Sequence, residues 1–97
     1  MALRRFPISG ELDLATAPAL QAKLDVLVAL TDDDLVLDCE GLVFIDSTGV
    51  RLFIHTRNGL QAAGRRCTVE NLTERCRRPF EILGLTERLE LRELDLA

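Results

Sequence analysis

The chain is poor in the aromatic and basic residues that often build ligand-binding surfaces. Its 97 residues include no tryptophan, no tyrosine and only four phenylalanines, so we expect a mostly aliphatic core. The same shortage leaves few aromatic platforms on which sugars or bases could stack. The formal net charge is −4, and no stripe of lysine or arginine is interleaved with aromatics. These features argue against nucleic acid as a partner.

Targeting and membrane signals are also missing from the sequence. The N-terminal segment MALRRFPISG has two arginines but no apolar stretch after them, unlike a secretory signal peptide. No apolar run approaches the length of a membrane span. We therefore predict a cytoplasmic protein that does not insert directly into a membrane.

The cysteines fit neither a disulfide framework nor a zinc site. There are three, Cys39, Cys67 and Cys76, an odd number without CxxC spacing. We expect reduced thiols in or near the core. A redox role remains as an alternative, with Cys67 and Cys76 as the pair that would form a reversible disulfide.

Signatures of catalysis and of nucleotide binding are absent. The sequence has no GxGxxG, no GxxxxGK[ST] and no G-x-S-x-G elbow. The single histidine, His55, follows Ser47 by about two helical turns, which is too far for a Ser-His-Asp triad. A metal site formed by Asp13, Asp38 and Asp46 is an alternative, but turn and capping roles are the simpler interpretation of these carboxylates. We predict a protein that is not an enzyme and binds no cofactor or metal.

The order of apolar patterns predicts one α/β domain over residues 1–97. Strands are predicted at 3–9, 35–39 and 66–70, with helices at about 17–30, 48–63 and 74–83. Turns are predicted at 10–13 and 38–41. A final segment is either a strand over 88–91 or a helix over 86–94. This alternation predicts a mixed, mostly parallel sheet of about four strands with three or four helices.

The segment from Leu35 to Leu52, LVLDCEGLVFIDSTGVRL, brings Ser47 to the start of the second helix. A serine at such a position is usually the helix N-cap. It is also a position that tolerates a phosphate, because unpaired N–H groups and the helix dipole favour negative charge there. The local sequence by itself favours the N-cap interpretation.

Two motifs in this order resemble the STAS domain, and in particular the bacterial anti-sigma factor antagonists. The first is Gly10-Glu11-Leu12-Asp13, which follows an early strand. The second is Phe44-Ile45-Asp46-Ser47-Thr48-Gly49, which has the D-S-[ST]-G pattern of that family. An A-G ending at 63–64 and an L-G-L ending at 83–85 extend the resemblance over nearly the whole chain.

The resemblance implies a phosphorylation switch at Ser47 that regulates transcription under stress. In such proteins the unphosphorylated antagonist captures an anti-sigma factor and thereby frees a sigma factor. The anti-sigma factor is itself an ATP-binding serine kinase, whose phosphorylation of the serine breaks the complex, and a separate phosphatase resets it. The residues implied in partner binding are Asp13, Asp46, Ser47, Thr48 and Gly49.

One residue near the motif departs from the family pattern. Arg51 stands one helical turn after Ser47, where the family often has a small residue. Its charge could pair with a phosphate on Ser47 or could set the choice of partner. The same resemblance leaves a second function open, that of a STAS adaptor subunit in a membrane lipid or anion transport system.

Overall fold

Strands and helices alternate along the chain, as the sequence predicts. The structure is a computed structural model and describes residues 2–84 together with the backbone of residues 90–92. The strands are β1 (Leu3–Leu12), β2 (Asp34–Ile45), β3 (Cys67–Glu70) and β4 (Glu90–Arg92). The helices are α1 (Ala17–Leu30), α2 (Ser47–Ala62) and α3 (Glu74–Ile82).

The described strands form a sheet in the order β1-β2-β3-β4, and every pairing between them is parallel. The expectation of a mixed sheet is therefore wrong for these strands. A helix lies between each strand and the next, and such a crossover returns the chain to the same end of the sheet. Strands β1 to β3 form the body of the sheet, and the short β4 extends its edge. The remainder of the segment predicted as a strand over 88–91 or a helix over 86–94 lies outside the described residues.

Strands β1 and β2 are longer than the sequence predicts, so the predicted turn at 38–41 is wrong and the one at 10–13 is only partly right. The two strands pair from Leu3 with Asp34 to Leu12 with Ile45, and the register shifts twice along the way. These irregularities keep turn-prone residues inside the strands, as β-bulges do. Gly10, with φ of +78°, adopts the left-handed conformation that glycine enters without steric cost.

The register of this pair positions the candidate site. Because Leu12 and Ile45 are paired, the chain leaves β1 and β2 at the same edge of the sheet. Asp13 follows one strand and Asp46 the other. The backbone N–H of Asp46 donates to the carbonyl of Leu12 at 3.2 Å and joins the two exits directly.

The core between the sheet and the helices is mainly aliphatic, as predicted. Its two fully buried phenylalanines, Phe53 of α2 and Phe80 of α3, lie with ring centroids 5.7 Å apart. The three cysteines are buried free thiols. Burial raises the pKa of the Cys39 thiol, so its reactive thiolate form is disfavoured. The predicted alternative pair, Cys67 and Cys76, is not disulfide-bonded in this structure.

The first turn of α2 lies very close to the ends of β1 and β2. A Cβ atom at Gly49 would lie 2.6 Å from Cγ1 of Ile45 and 2.8 Å from Cγ of Leu12. Gly59, almost three turns further along the same helix, is not crowded in this way. A Cβ atom there would lie 3.5 Å from Cγ1 of Val28, which is an ordinary contact.

We expect Gly49→Ala to lower the free energy of unfolding by about 1–3 kcal/mol, because the added methyl group overpacks the junction. The matched variant Gly59→Ala should be neutral or should raise that free energy by up to about 1 kcal/mol, since alanine is the better helix former. Urea denaturation measures both changes. A Gly49→Ala protein as stable as the parent would contradict the close packing at this junction.

Candidate functional site

The N-cap of α2 is Asp46, and not Ser47 as the local sequence suggests. Asp46 has an extended backbone, and its Oδ1 accepts hydrogen bonds from the N–H groups of Thr48 at 2.9 Å and Gly49 at 3.2 Å. One carboxylate therefore satisfies two of the N–H groups that have no partner within the helix. The expectation that both of these groups would be free to receive a phosphate is wrong.

Ser47 is the first residue of α2, and its side chain is exposed. Within the described part of the chain, its hydroxyl makes no hydrogen bond. Because Asp46 caps the helix, the Ser47 hydroxyl is not needed for that role. A group can therefore be added to the oxygen without breaking an internal hydrogen bond of the described fold.

The second carboxylate at this edge, Asp13, stabilises the turn between β1 and α1. Its Oδ1 accepts hydrogen bonds from the N–H groups of Ala15 and Thr16, both at 3.0 Å. Thr16 occupies the N-cap position of α1, but its side chain makes no capping bond to the helix. Its hydroxyl instead accepts from the N–H of Asp13 at 2.9 Å and so closes the turn.

A shallow recess of about 360 Å³ lies between α1 and the first turn of α2, directly beside the site. Its lining includes Leu14, Pro18, Gln21, Asp25 and Thr48. Leu14 is 76% exposed. The sequence analysis did not single out Leu14. An apolar residue between the two polar residues of a turn, Asp13 and Thr16, is the signal that could have identified it.

The predicted partner-binding residues do not all reach the surface. Ser47 and Arg51 are exposed, and Asp46 and Thr48 are half-buried. Gly49 is buried against the strand ends, so it serves the packing of α2 rather than offering a surface for contact.

Other polar residues considered from the sequence are engaged elsewhere. Nε2 of His55 lies 3.3 Å from Oδ1 of Asp25, and the histidine does not contact Ser47. Asp38 accepts hydrogen bonds from Asn71 at 2.9 Å and Arg5 at 3.2 Å, rather than joining Asp13 and Asp46. The bond from Asn71 is the largest cause of the lowered pKa of Asp38, and the Arg5 charge lowers it further.

The described residues contain neither a metal-binding cluster nor a helix that could span a membrane. No group of three or more histidine, cysteine, aspartate or glutamate side chains in this part of the chain is placed to hold a metal ion. None of the helices in the same part is both long enough and apolar enough to cross a bilayer.

The sequence that forms this parallel α/β fold matches a known family. Residues 4–94 match the STAS domain, and the chain belongs to that family. The anti-sigma-B factor antagonist of Bacillus subtilis (strain 168) is 36% identical to it over 84 residues, which cover 87% of this chain and 76% of the relative.

Solved structures of anti-sigma factor antagonists have the same fold. One from Mycobacterium paratuberculosis superposes with a TM-score of 0.80 at 30% identity, covering 94% of this chain and 78% of that chain. The unphosphorylated form of the antagonist SpoIIAA also superposes with a TM-score of 0.80, covering 99% of this chain and 85% of that chain. Its identity to this chain is 22%, so this match shows the fold alone.

We expect Asp46→Ala to lower the free energy of unfolding by about 1 kcal/mol, because two N–H groups of α2 lose their acceptor. Asp46→Asn should retain most of the stability, since asparagine caps helices about as well as aspartate. Chemical denaturation of both variants checks this expectation. Full stability in Asp46→Ala would show that Asp46 is not the effective cap.

Proposed function

We propose that this protein is an anti-sigma factor antagonist controlled by phosphorylation of Ser47. In its unphosphorylated form it binds an anti-sigma factor with serine kinase activity in the cytoplasm, and a sigma factor is released. The partner binds ATP and phosphorylates Ser47, which breaks the complex. A phosphatase that acts on phospho-Ser47 restores binding. Membership of the STAS family and the names of the relatives support the antagonist role.

The observation that carries the proposal is the state of the Ser47 hydroxyl. It is exposed, and it makes no hydrogen bond within the described residues. A protein kinase requires an accessible hydroxyl group, and a reversible switch requires a site whose modification leaves the fold intact. Ser47 meets both requirements because Asp46 provides the N-cap.

The charge around Ser47 explains how a phosphate would break a complex. Phosphorylation adds about −1.5 to −2 charges near neutral pH. The N–H groups of Thr48 and Gly49 already bind the carboxylate of Asp46, so they are not available to offset this charge. The phosphate would therefore remain at the surface beside a carboxylate.

A partner shaped for a neutral hydroxyl would meet both repulsion and the cost of desolvating the phosphate. Unpairing or mispairing a buried charge at an interface costs about 2–5 kcal/mol. This corresponds to a loss of affinity of about one and a half to three and a half orders of magnitude. Such a change is large enough to switch the occupancy of a complex.

The surface beside Ser47 is suited to a protein partner. The recess near Thr48 and the exposed Leu14 provide apolar contact area next to the hydroxyl. Asp13 and Asp46 would lie on either side of the contact, each already held by hydrogen bonds within its own turn. We propose that the partner covers this recess and Ser47 together.

The direct test is incubation of the pure protein with ATP-Mg and the candidate anti-sigma kinases of its host, read by intact mass and peptide mapping. The proposal predicts one phosphate, on Ser47, together with loss of the complex. If no kinase transfers phosphate and the protein co-purifies with a transport ATPase, the function is instead that of a STAS transport adaptor.

We expect Ser47→Ala to fold normally, to take up no phosphate and to bind its partner constitutively. Ser47→Glu should weaken binding at least about tenfold because of its charge. Its free energy of unfolding should stay within about 0.5 kcal/mol of the parent, as is usual for exposed positions. Calorimetric titration and urea denaturation measure the two effects.

Ser9→Ala provides the matched control, because Ser9 is an exposed serine within β1. This variant should be phosphorylated and released like the parent. Phosphate uptake by Ser47→Ala at the parental level would place the modified residue elsewhere and contradict the proposal.

A further inference from the structure

Arg51 is a charged residue close to Ser47 with no part in holding the fold. Its side chain is exposed, and among the described residues it makes no ion pair or hydrogen bond. It follows Ser47 by four positions in the continuous helix α2. Residues at this spacing lie on the same helix face, with Cβ atoms about 5–6 Å apart.

The backbone offers little to a phosphate on Ser47. The Asp46 carboxylate accepts hydrogen bonds from the N–H groups of Thr48 and Gly49. The backbone carbonyl of Asp46 accepts a third, from the N–H of Val50, at 3.0 Å. In the described first turn, this leaves the N–H of Ser47 itself as the uncommitted donor. The usual means by which a helix N-terminus stabilises an anion is therefore largely taken up by the cap.

Charged groups on neighbouring elements also contribute to the electrostatic environment of Ser47. Asp13 and Asp46 add negative charge at the strand exits, while Asp25 of α1 pairs with His55 of α2. The cations of α3 nearest this end of β2 are Arg75 and Arg78, which line a cleft with Ile45. Arg51 differs from them because it lies on the same helix face as Ser47.

We propose that Arg51 is the counter-charge of phospho-Ser47, pairing with the phosphate across one turn of α2. A guanidinium group can donate two parallel hydrogen bonds to phosphate oxygens. An acidic group one turn N-terminal to a basic group is also the favourable order on a helix. This inference rests on the proposed phosphorylation of Ser47. Arg51 would then determine how much of the phosphate charge remains unneutralised at the docking surface.

The pairing can be tested without any kinase, by inserting phosphoserine at position 47 during translation. A ³¹P NMR titration then gives the second pKa of the phosphate. Arg51 stabilises the dianion, so this pKa should be lower in the parent than in Arg51→Ala, by about 0.3 of a pH unit. Arg51→Lys should restore part of the difference, because lysine keeps the charge but not the planar fork.

Arg57→Ala is the matched control. It removes the same charge from the same helix at a point about 15 Å from Ser47 along the helix axis, beyond the Debye length at physiological ionic strength. The phosphate pKa should not change in this variant. An equal phosphate pKa in Arg51→Ala and the parent would overturn the inference, and so would a shift found in Arg75→Ala or Arg78→Ala instead.

Failure of the proposed function would be seen in a different measurement. If the phosphoserine protein bound the anti-sigma factor as tightly as the unmodified protein, the switch would be wrong. The titration would still decide whether Arg51 pairs with the phosphate, because it requires neither the partner nor the kinase.

Discussion

The carboxylate of Asp46 holds the start of α2 on the ends of β1 and β2. Its backbone N–H donates to Leu12, and its Oδ1 accepts from two N–H groups of the helix. Gly49 allows the close approach that these bonds require. Because these residues hold the junction, the side chain of Ser47 has no structural role there and stays exposed. Asp46, which holds the fold, and Ser47, the candidate phosphorylation site, are therefore adjacent in sequence but have different roles.

The parallel register of the sheet accounts for the charge at this junction. It brings the exits of β1 and β2 to one edge, where Asp13 and Asp46 both fall. A phosphate on Ser47 would add to charge of the same sign in a place where the helix N–H groups are already engaged. Arg51, on the same helix face, would oppose it. Phosphorylation would therefore act on binding rather than on folding, and the charge of Arg51 would limit its effect.

The sequence predicts most of the elements and the motif, but not the geometry that makes the site. The bounds of α1, α2 and β3 agree with the structure to within one residue, because their apolar periodicity and their end signals are local. The predicted turn at 38–41 and most of that at 10–13 are wrong, because pairing between distant segments overrides local turn preferences. Asp46 and Ser47 are both good N-caps by preference, and the position where β2 ends decides between them.

The most direct measurement is the affinity of the host's anti-sigma factor for two homogeneous samples, the unmodified protein and the protein carrying phosphoserine at position 47. We expect tight binding of the unmodified form and binding at least about tenfold weaker for the phosphorylated form, with the same fold in both. Equal affinities for two well-folded samples would contradict the claim that charge at Ser47 controls the complex.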